Sequence, residues 1–384
     1  MAPRVAFCFH DAQLSGATIW LRDFLRSRAY PAADSVVVLP GSSAVEDDCR
    51  ALGIECHVLN ITTKSISEAG LAEKFSLMAN RIAAVKDYRK VFRAVRPNLA
   101  YVNSSVQIAP LYAARRERIP ALVHVHEGWR MKTTQGLKRH AVRNWASAAL
   151  FAAARGVEIF GPAPNGKRWE VSPNGVDMEL ADLKRQREEL RGKNGFARDE
   201  KIILFLGTVS ERKGVQDLAA CWPEVSDKFP RARLIVAGRE EPAEKNAIIH
   251  KFIKAPPARA EFWGFRSDAR ELIAAADFLV LPSYGEAMPI SISEAMMIGT
   301  PVIARDVGDV GWQIGEGRGF LFKGDGAEVL RSAMEEALMD DARAMACAEK
   351  AQEFARKELT REKQNAQVLR MIGGMGNGEW GMEK

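Results

Sequence analysis

The chain has 384 residues, of which 47% are hydrophobic, 8% aromatic and 27% charged. This composition is typical of folded globular proteins and excludes collagen, coiled coils and wholesale disorder. The length predicts two to three domains with sizeable cores. The longest apolar stretch, 145–154, is much shorter than the roughly 20 residues that a membrane-spanning helix needs. The start of the chain lacks the features of a signal peptide, and the five cysteines form no CxxC pair, so we expect a cytoplasmic protein with reduced thiols.

The formal net charge of +6 is distributed unevenly. Residues 1–178 contain 24 Lys and Arg against 15 Asp and Glu, a net charge of +9, whereas the remainder contains 31 against 34, a net charge of −3. This asymmetry indicates an anionic partner for the first half, with a solvated basic face as the alternative. No motif of nucleic-acid-binding proteins accompanies the charge. We therefore expect a membrane leaflet or a lipid-linked phosphate, and no nucleic acid.

Strands and helices alternate along the first half. We predict a long basic helix over 67–95 and a helical stretch at 135–154. Strands are predicted at 4–9, 35–40, 56–60, 99–104, 121–127, 157–160 and 168–173. Because these runs are apolar on both faces, they are typical of a parallel sheet covered by helices.

The alternation restarts after the polar stretch 184–200. Further strands are predicted at 201–207, 232–238, 261–265, 277–283, 301–304 and 319–322, with helices between and after them. The pattern predicts an α/β architecture of two doubly wound Rossmann-like domains that face a central cleft, with the ligand at the carboxyl ends of the strands.

The predicted domain limits follow from this pattern. The first domain covers 1–178 and the second 179–359. A C-terminal helix at about 360–372 is expected to pack back on the first domain, and residues 373–384 form a Gly-rich tail that we expect to fray.

Two apparent motifs are set aside. The stretch 161–168, GPAPNGKR, resembles a phosphate-binding loop, but it ends in Arg instead of a hydroxyl residue and has two prolines that lack N–H donors. The chain has no Asp-x-Asp. His124 and His126 are predicted to point to opposite faces of a strand, so we expect no metal site.

The strongest motif is SYGEAMPISISEAM at 283–296. A strand ends in a loop, and Pro289 suits the first turn of the following helix. The N–H groups from Ala287 to Ile290 then form an anion site, with Glu286 in the loop and Glu294 further along the helix. A nucleotide sugar fits this set, because a diphosphate suits the N–H groups and hydroxyls suit the carboxylates. The alternative is a helix with two solvent-facing glutamates.

A second motif, GTVSERKG at 207–214, also runs from a strand end to a helix start. Lys213 precedes the helix N-terminus, where a cation and the helix dipole can hold the same diphosphate.

In the first half, the first strand leads into a loop with Ser15 and Gly16, and glycine permits close approach of a ligand. Asn103 ends one predicted strand, and His126 and Glu127 end the next. We therefore expect these side chains at the same sheet edge. A plain strand–helix turn is the alternative for the loop, and for His124 we expect a core histidine that bonds to the backbone.

Together these motifs resemble the retaining glycosyltransferases of family 4, which have the GT-B fold. The resemblance rests on the Gly16 loop, the His126–Glu127 pair, PNGVD at 173–177, the Lys213–Gly214 pair and the Glu-x7-Glu element that ends in EAMMIGTPVIA.

The resemblance implies a sugar transfer from a nucleoside diphosphate sugar to an acceptor hydroxyl, without a cofactor or a metal. Lys213, Glu286 and His126 are implied as catalytic. The implied donor-binding residues are Gly16, Thr208, Arg212, Lys213, Glu286, Ala287, Met288, Pro289, Ile290 and Glu294. The implied acceptor-side residues are Ser15, Asn103, His126 and Glu127.

The chain departs from the family at Thr208, where members usually carry Arg. Either Arg212 or a base of the first domain compensates, or donor affinity falls. Two other functions remain open, a nucleotide-sugar epimerase of the same fold and a non-catalytic sugar- or nucleotide-binding relic. The acceptor expected from family habit is a lipid-linked or surface-polysaccharide glycan, with peripheral contact of residues 74–96 at the inner membrane.

Overall fold

The computed structural model describes residues 2–12, 16–61, 71–127, 135–241 and 246–376. It divides into two units, one comprising 1–173 with 364–384 and the other 174–363. Each unit is built on its own parallel sheet.

The first unit contains a seven-stranded sheet in the order β3-β2-β1-β4-β5-β6-β7, in which every pair is parallel. Its strands are β1 Val5–Cys8, β2 Ser35–Leu39, β3 Glu55–Val58, β4 Leu99–Asn103, β5 Ala121–Val125, β6 Ala148–Phe151 and β7 Arg168–Val171. Its helices before the second unit are α1 Gly16–Arg26, α2 Val45–Leu52, α3 Leu71–Val95, α4 Ala109–Arg116, α5 Gln135–Trp145 and α6 Ala154–Phe160.

Strands β1, β4 and β5 are buried on both faces. Phe7 packs with Trp20 and Phe24 of α1 in one core, whereas Ala6 packs with Tyr88 and other residues of α3, α4 and α5 in the other. Alternation along each strand thus fills two cores, as the apolar runs predict.

One part of the predicted strand pattern of this sheet is wrong. The predicted strand 157–160 lies inside α6, and 148–151, assigned to a helix, forms β6. Periodicity cannot distinguish a buried strand from a buried helical segment in an apolar run this short. Pairing with β5 and β7 decides in favour of the strand.

The second unit contains a six-stranded parallel sheet in the order β10-β9-β8-β11-β12-β13. Its strands are β8 Lys201–Leu206, β9 Ala232–Ala237, β10 Ala260–Gly264, β11 Phe278–Leu281, β12 Val302–Arg305 and β13 Phe320–Phe322. Its helices are α7 Arg187–Lys193, α8 Val215–Lys228, α9 Ala247–Lys254, α10 Ala269–Ala275, α11 Ile290–Ile298, α12 Val310–Ile314, α13 Ala327–Met339 and α14 Asp341–Glu358. All six predicted strands are confirmed.

The last helix, α15 Arg361–Gly376, belongs to the first unit from Gln364 onward. Val368, Met371 and Ile372 are buried in the core that contains Phe7. The helix also includes residues 373–376 of the expected tail, and 377–384 lie outside the described residues.

Both sheets contain a switch in strand order, where ligands of open α/β sheets bind beside the carboxyl ends of the strands. In the first sheet the switch lies between β1 and β4, and in the second between β8 and β11. No helix in the described ranges is long and apolar enough to span a membrane.

Candidate functional site

In the second unit, the loops after β8 and β11 bring Lys213 and Glu286 together at the switch in strand order. Nζ of Lys213 donates to Oε1 of Glu286 at 2.5 Å, and the two side chains are only 15% and 8% exposed. A pair this buried is costly to separate unless another partner replaces one member. Two of the predicted catalytic residues therefore lie in direct contact.

Glu294 lies in α11, which follows the Glu286 loop, and it is buried. Its Oε1 accepts a hydrogen bond from Nε of Arg270 at 2.7 Å, and Arg270 also lies 3.7 Å from Asp177. Burial raises the pKa of Glu294, and Arg270 offsets part of this effect. Because both glutamates are buried, the alternative of two solvent-facing glutamates is wrong.

The loop that carries Glu286 packs tightly against Gly308. A Cβ at residue 308 would lie 2.2 Å from the carbonyl oxygen of Glu286, and the backbone φ there is +57°. Only glycine fits such a close approach. The N–H of Asp309 donates to the carbonyl of Ala287 at 2.8 Å, which fixes the loop further.

The predicted anion site at 287–290 has three N–H donors rather than four. Pro289 caps the N-terminus of α11 but has no N–H, so the donors belong to Ala287, Met288 and Ile290. The Met288 carbonyl accepts from Nδ2 of Asn174 at 3.0 Å.

Thr208 and Arg212 occupy different positions around the same loops. Thr208 follows β8 and is exposed. A guanidinium N–H of Arg212 donates to the carbonyl of Gly285 at 2.9 Å, and the Arg212 carbonyl accepts from the N–H of Tyr284. Arg212 therefore links the Lys213 loop to the Glu286 loop.

A buried network that the sequence did not predict fixes Tyr284, which lies in the Glu286 loop. Asp217 of α8 accepts from Arg305 at 2.8 Å and from the Tyr284 hydroxyl at 2.7 Å. The Arg305 guanidinium also lies 4.2 Å from the centre of the Tyr284 ring. Nearby, the hydroxyls of Ser210 and Ser283 are buried and bond to none of the described residues, whereas most buried polar side chains in native proteins have a partner.

In the first unit, the ends of β4 and β5 form a polar cluster around Glu127. The hydroxyls of Ser104 and Ser105 both donate to Glu127, the second at 2.8 Å. Burial raises the pKa of Glu127, but these bonds and the nearby imidazoles outweigh it and lower the pKa overall. Ser104 adopts a φ of 104°, a strained conformation that costs roughly 1–3 kcal/mol and is typical of functional sites.

His126 lies beside this cluster. Its Nε2 is 2.8 Å from Oδ1 of Asn103, whose Nδ2 donates to the Ala17 carbonyl. Since Oδ1 can only accept, His126 carries its proton on Nε2, and Nδ1 is left as an acceptor. Burial and the neighbouring imidazole of His124 lower the pKa of His126 well below its ordinary value, so the ring is neutral at physiological pH.

The prediction that His124 and His126 point to opposite faces is wrong. Their ring centres are 4.0 Å apart, because residues two apart in a strand lie on the same face. His124 does lie in the core, but its Nδ1 bonds to the Tyr101 hydroxyl at 2.7 Å instead of to the backbone. Gly16 begins α1, and Ser15 lies outside the described residues.

Comparisons with known proteins bear on both units. Residues 186–354 match the family model of group 1 glycosyl transferases. The matched residues lie within the second unit. The lipopolysaccharide glucosyltransferase WaaG of Escherichia coli is 28% identical over 195 residues, which cover 49% of this chain and about half, 52%, of WaaG. The putative glycosyltransferase EpsD of Bacillus subtilis is 28% identical over 315 residues, which cover 73% of this chain and 80% of EpsD.

Solved structures agree on the fold. Anabaena HepE in complex with UDP and glucose superposes with a TM-score of 0.78 at 20% identity and covers 97% of this chain and 99% of its own. The predicted fold class is confirmed as GT-B, with two Rossmann-like parallel sheets. The roles of the individual site residues stay predictions.

Proposed function

We propose that this chain is a retaining, metal-independent glycosyltransferase that moves a hexose from a nucleoside diphosphate sugar to an acceptor hydroxyl. One observation carries the proposal. Glu286 and Glu294 are buried, and Lys213 is partly buried, beside the switch in strand order of the unit that contains the match to group 1 glycosyl transferases. A cation suits the diphosphate of a nucleotide sugar, and two carboxylates suit the hydroxyls of its ribose and of the transferred sugar.

Lys213 and the N-terminus of α11 supply the positive charge for the diphosphate. When a phosphate oxygen binds Nζ of Lys213, it competes with Glu286 for that cation. Glu286 can then accept hydrogen bonds from hydroxyls of the transferred sugar. Glu294 uses one oxygen for Arg270, and its second oxygen can accept from the ribose hydroxyls.

The reaction forms a bond between the acceptor oxygen and the anomeric carbon and breaks the bond from that carbon to the phosphate oxygen. We propose attack on the face that the phosphate leaves, with the departing phosphate oxygen taking the acceptor's proton. Lys213 and the α11 N–H groups stabilise the negative charge on the leaving diphosphate. No cofactor is needed in this scheme.

In the first unit, we propose that His126 positions the acceptor hydroxyl. A neutral ring with Nε2–H bound to Asn103 offers Nδ1 to a hydroxyl proton. Because its pKa is low, the ring does not carry a second proton at neutral pH, so a positioning role suits it better than acid catalysis.

Binding and turnover test the proposal separately. A thermal-shift panel of nucleotide sugars, starting from UDP and UDP-glucose because HepE was solved with both, should identify the donor. With an acceptor present, the product should keep the anomeric configuration of the donor. Activity should persist in excess EDTA. Loss of activity that magnesium restores would refute metal independence, and conversion of donor without acceptor would point to an epimerase.

We further propose a lipid-linked or surface-polysaccharide acceptor reached at the cytoplasmic face of the inner membrane. The name of WaaG, lipopolysaccharide glucosyltransferase, supports this class of acceptor. The basic stretch 74–96 would contact anionic lipid. Within it, Arg89 and Arg93 both bind Glu117, at 2.6 and 2.9 Å, so the stretch carries less free charge than its composition indicates.

Vesicle sedimentation tests this contact. Binding to anionic vesicles should be strong at low salt, should be released at high salt and should be absent with neutral vesicles. Replacing Arg89, Lys90 and Arg93 by Glu should abolish it without affecting nucleotide binding. Equal binding to neutral vesicles, or none to anionic ones, would refute the membrane contact.

A further inference from the structure

A pocket lies in the second unit, at the sheet edge opposite to the one that carries Lys213 and Glu286. Its volume is about 420 Å³, within the range of small-molecule sites. Lys201 at the start of β8 and Phe278 at the start of β11 line it, which places the pocket at the amino ends of the strands. None of its lining residues belongs to the candidate donor site.

The pocket has an apolar wall. Phe278, Ile298, Pro301 and Met345 line it, and the Met345 side chain is largely exposed. An exposed apolar residue at the rim of a cavity favours a ligand with an apolar body.

All but one of the basic side chains that line the pocket are paired with a carboxylate. Lys201 donates to Asp341 at 2.7 Å, and Arg187 donates to Asp277 at 2.8 Å. Within the described part of the chain, the ammonium group of Lys184 forms neither a hydrogen bond nor an ion pair, although Asp277 acts on it from a distance. An ammonium group that contacts no carboxylate in a partly apolar pocket favours an anionic ligand.

We propose that this pocket binds a small organic anion, namely a carboxylate on an apolar body, with the carboxylate on Lys184 and the body against the apolar wall. Glu349 also lines the pocket and disfavours ligands with several negative charges. The site is separate from the donor site and takes a different class of ligand.

The protonation of Lys184 gives this proposal a pH signature. Burial, followed by the repulsion of Arg187, lowers the pKa of Lys184 to about 8, and Asp277 opposes this effect. Lys201, Asp341 and Glu349 are the other charged groups that line the pocket. A bound carboxylate favours the charged ammonium, so binding takes up a proton near pH 8. The affinity should fall as the pH rises above about 8, roughly tenfold per unit.

Two helices connect the pocket with the proposed donor site. Helix α11 carries Glu294 and ends at Ile298 in the pocket wall. Helix α10 carries Arg270, which binds Glu294, and its C-terminal carbonyls accept from Arg187 of the pocket. If the donor site is as proposed, occupancy of the pocket should change the affinity for nucleotide, and the effect must be reciprocal.

Isothermal titration of the full chain with octanoate tests the site, with octanamide as the uncharged analogue. Octanoate should bind with one-to-one stoichiometry near pH 7, and octanamide at least about tenfold more weakly. Lys184→Gln should reduce octanoate affinity by about tenfold or more. Lys184→Arg should keep the affinity and lose the fall above pH 8. Lys193→Gln is the matched control, because Lys193 lies in the adjacent helix α7 but pairs with Glu271 outside the pocket lining.

Equal affinity for octanoate and octanamide would overturn the proposal even if Lys184→Gln failed to fold. Unchanged octanoate affinity in a folded Lys184→Gln would do the same. A second titration measures UDP affinity with and without saturating octanoate. Unchanged UDP affinity would refute only the coupling, whereas a chain that binds octanoate but never UDP would refute the proposed donor site instead.

Discussion

Replacing Glu294 by Ala tests the donor site most directly. The carboxylate is buried in α11 and held by Arg270 at 2.7 Å, so its orientation does not depend on the ligand. Its proposed partner is the ribose of the nucleotide. The variant should therefore weaken binding of the free nucleotide as well as of the nucleotide sugar.

The magnitude follows from the type of bond that is lost. A hydrogen bond to a charged group contributes roughly 1.5–3 kcal/mol, which corresponds to an increase of roughly 10- to 150-fold in the UDP dissociation constant. Arg270 also lies 3.7 Å from Asp177, so this arginine still has a carboxylate partner in the variant. Glu294→Gln should give a smaller effect, because a neutral amide oxygen remains as an acceptor.

The assay is isothermal titration with UDP, accompanied by thermal unfolding to establish that the variant folds. Glu271→Gln is the matched control, since Glu271 neighbours Arg270 in α10 and carries the same charge but binds Lys193. It should leave UDP affinity within about threefold, well below the loss of a charged hydrogen bond. A folded Glu294→Ala variant with unchanged UDP affinity would refute the ribose role, whatever its turnover.

Three further predictions address the other residues. Glu286→Gln should not weaken UDP binding, since it removes the carboxylate that competes with the diphosphate for Lys213, and it should reduce turnover, because its proposed partner is the transferred sugar; a tenfold loss of UDP affinity would show that the roles of the two glutamates are exchanged. Glu127 has a lowered pKa, so its stabilising effect is present above its unfolded pKa of about 4.3 and is lost as the pH falls. The difference in the free energy of unfolding between wild type and Glu127→Gln should therefore shrink below about pH 4, and a difference independent of pH in urea titrations would contradict this. Gly214→Ala should destabilise the chain more than Gly195→Ala, because both have positive φ but only the first would place a Cβ 2.2 Å from the carbonyl of Pro282; equal urea midpoints would argue against the close approach.

The sequence was sufficient for the α/β class and for most of the strands. Strands that are apolar on both faces and alternate with helices leave few options besides parallel sheets. The motif that contains Glu286 and Glu294 was also recognisable, since both residues and the proline between them lie within a dozen positions of the chain. A motif of this kind can be recognised in the sequence because its residues are close together in the chain.

Partnerships between distant residues were decided by the tertiary structure. Arg270 lies 24 positions from Glu294, and Arg305 lies 88 positions from Asp217. An arginine on an amphipathic helix has the same local pattern whether it faces water or a buried carboxylate. The contact appears only when the sheet brings the two elements together.

The errors of the sequence analysis have the same origin. The short apolar run at 148–151 could join a helix or a strand, and pairing with β5 and β7 made it β6. The charge of the basic stretch 74–96 could be counted from the sequence. The ion pairs of Glu117 with Arg89 and Arg93 could not be predicted from it. Residue types and local periodicity determine which elements form, whereas the partner of each buried charge depends on how those elements pack, since burial makes an unpaired charge too costly to leave.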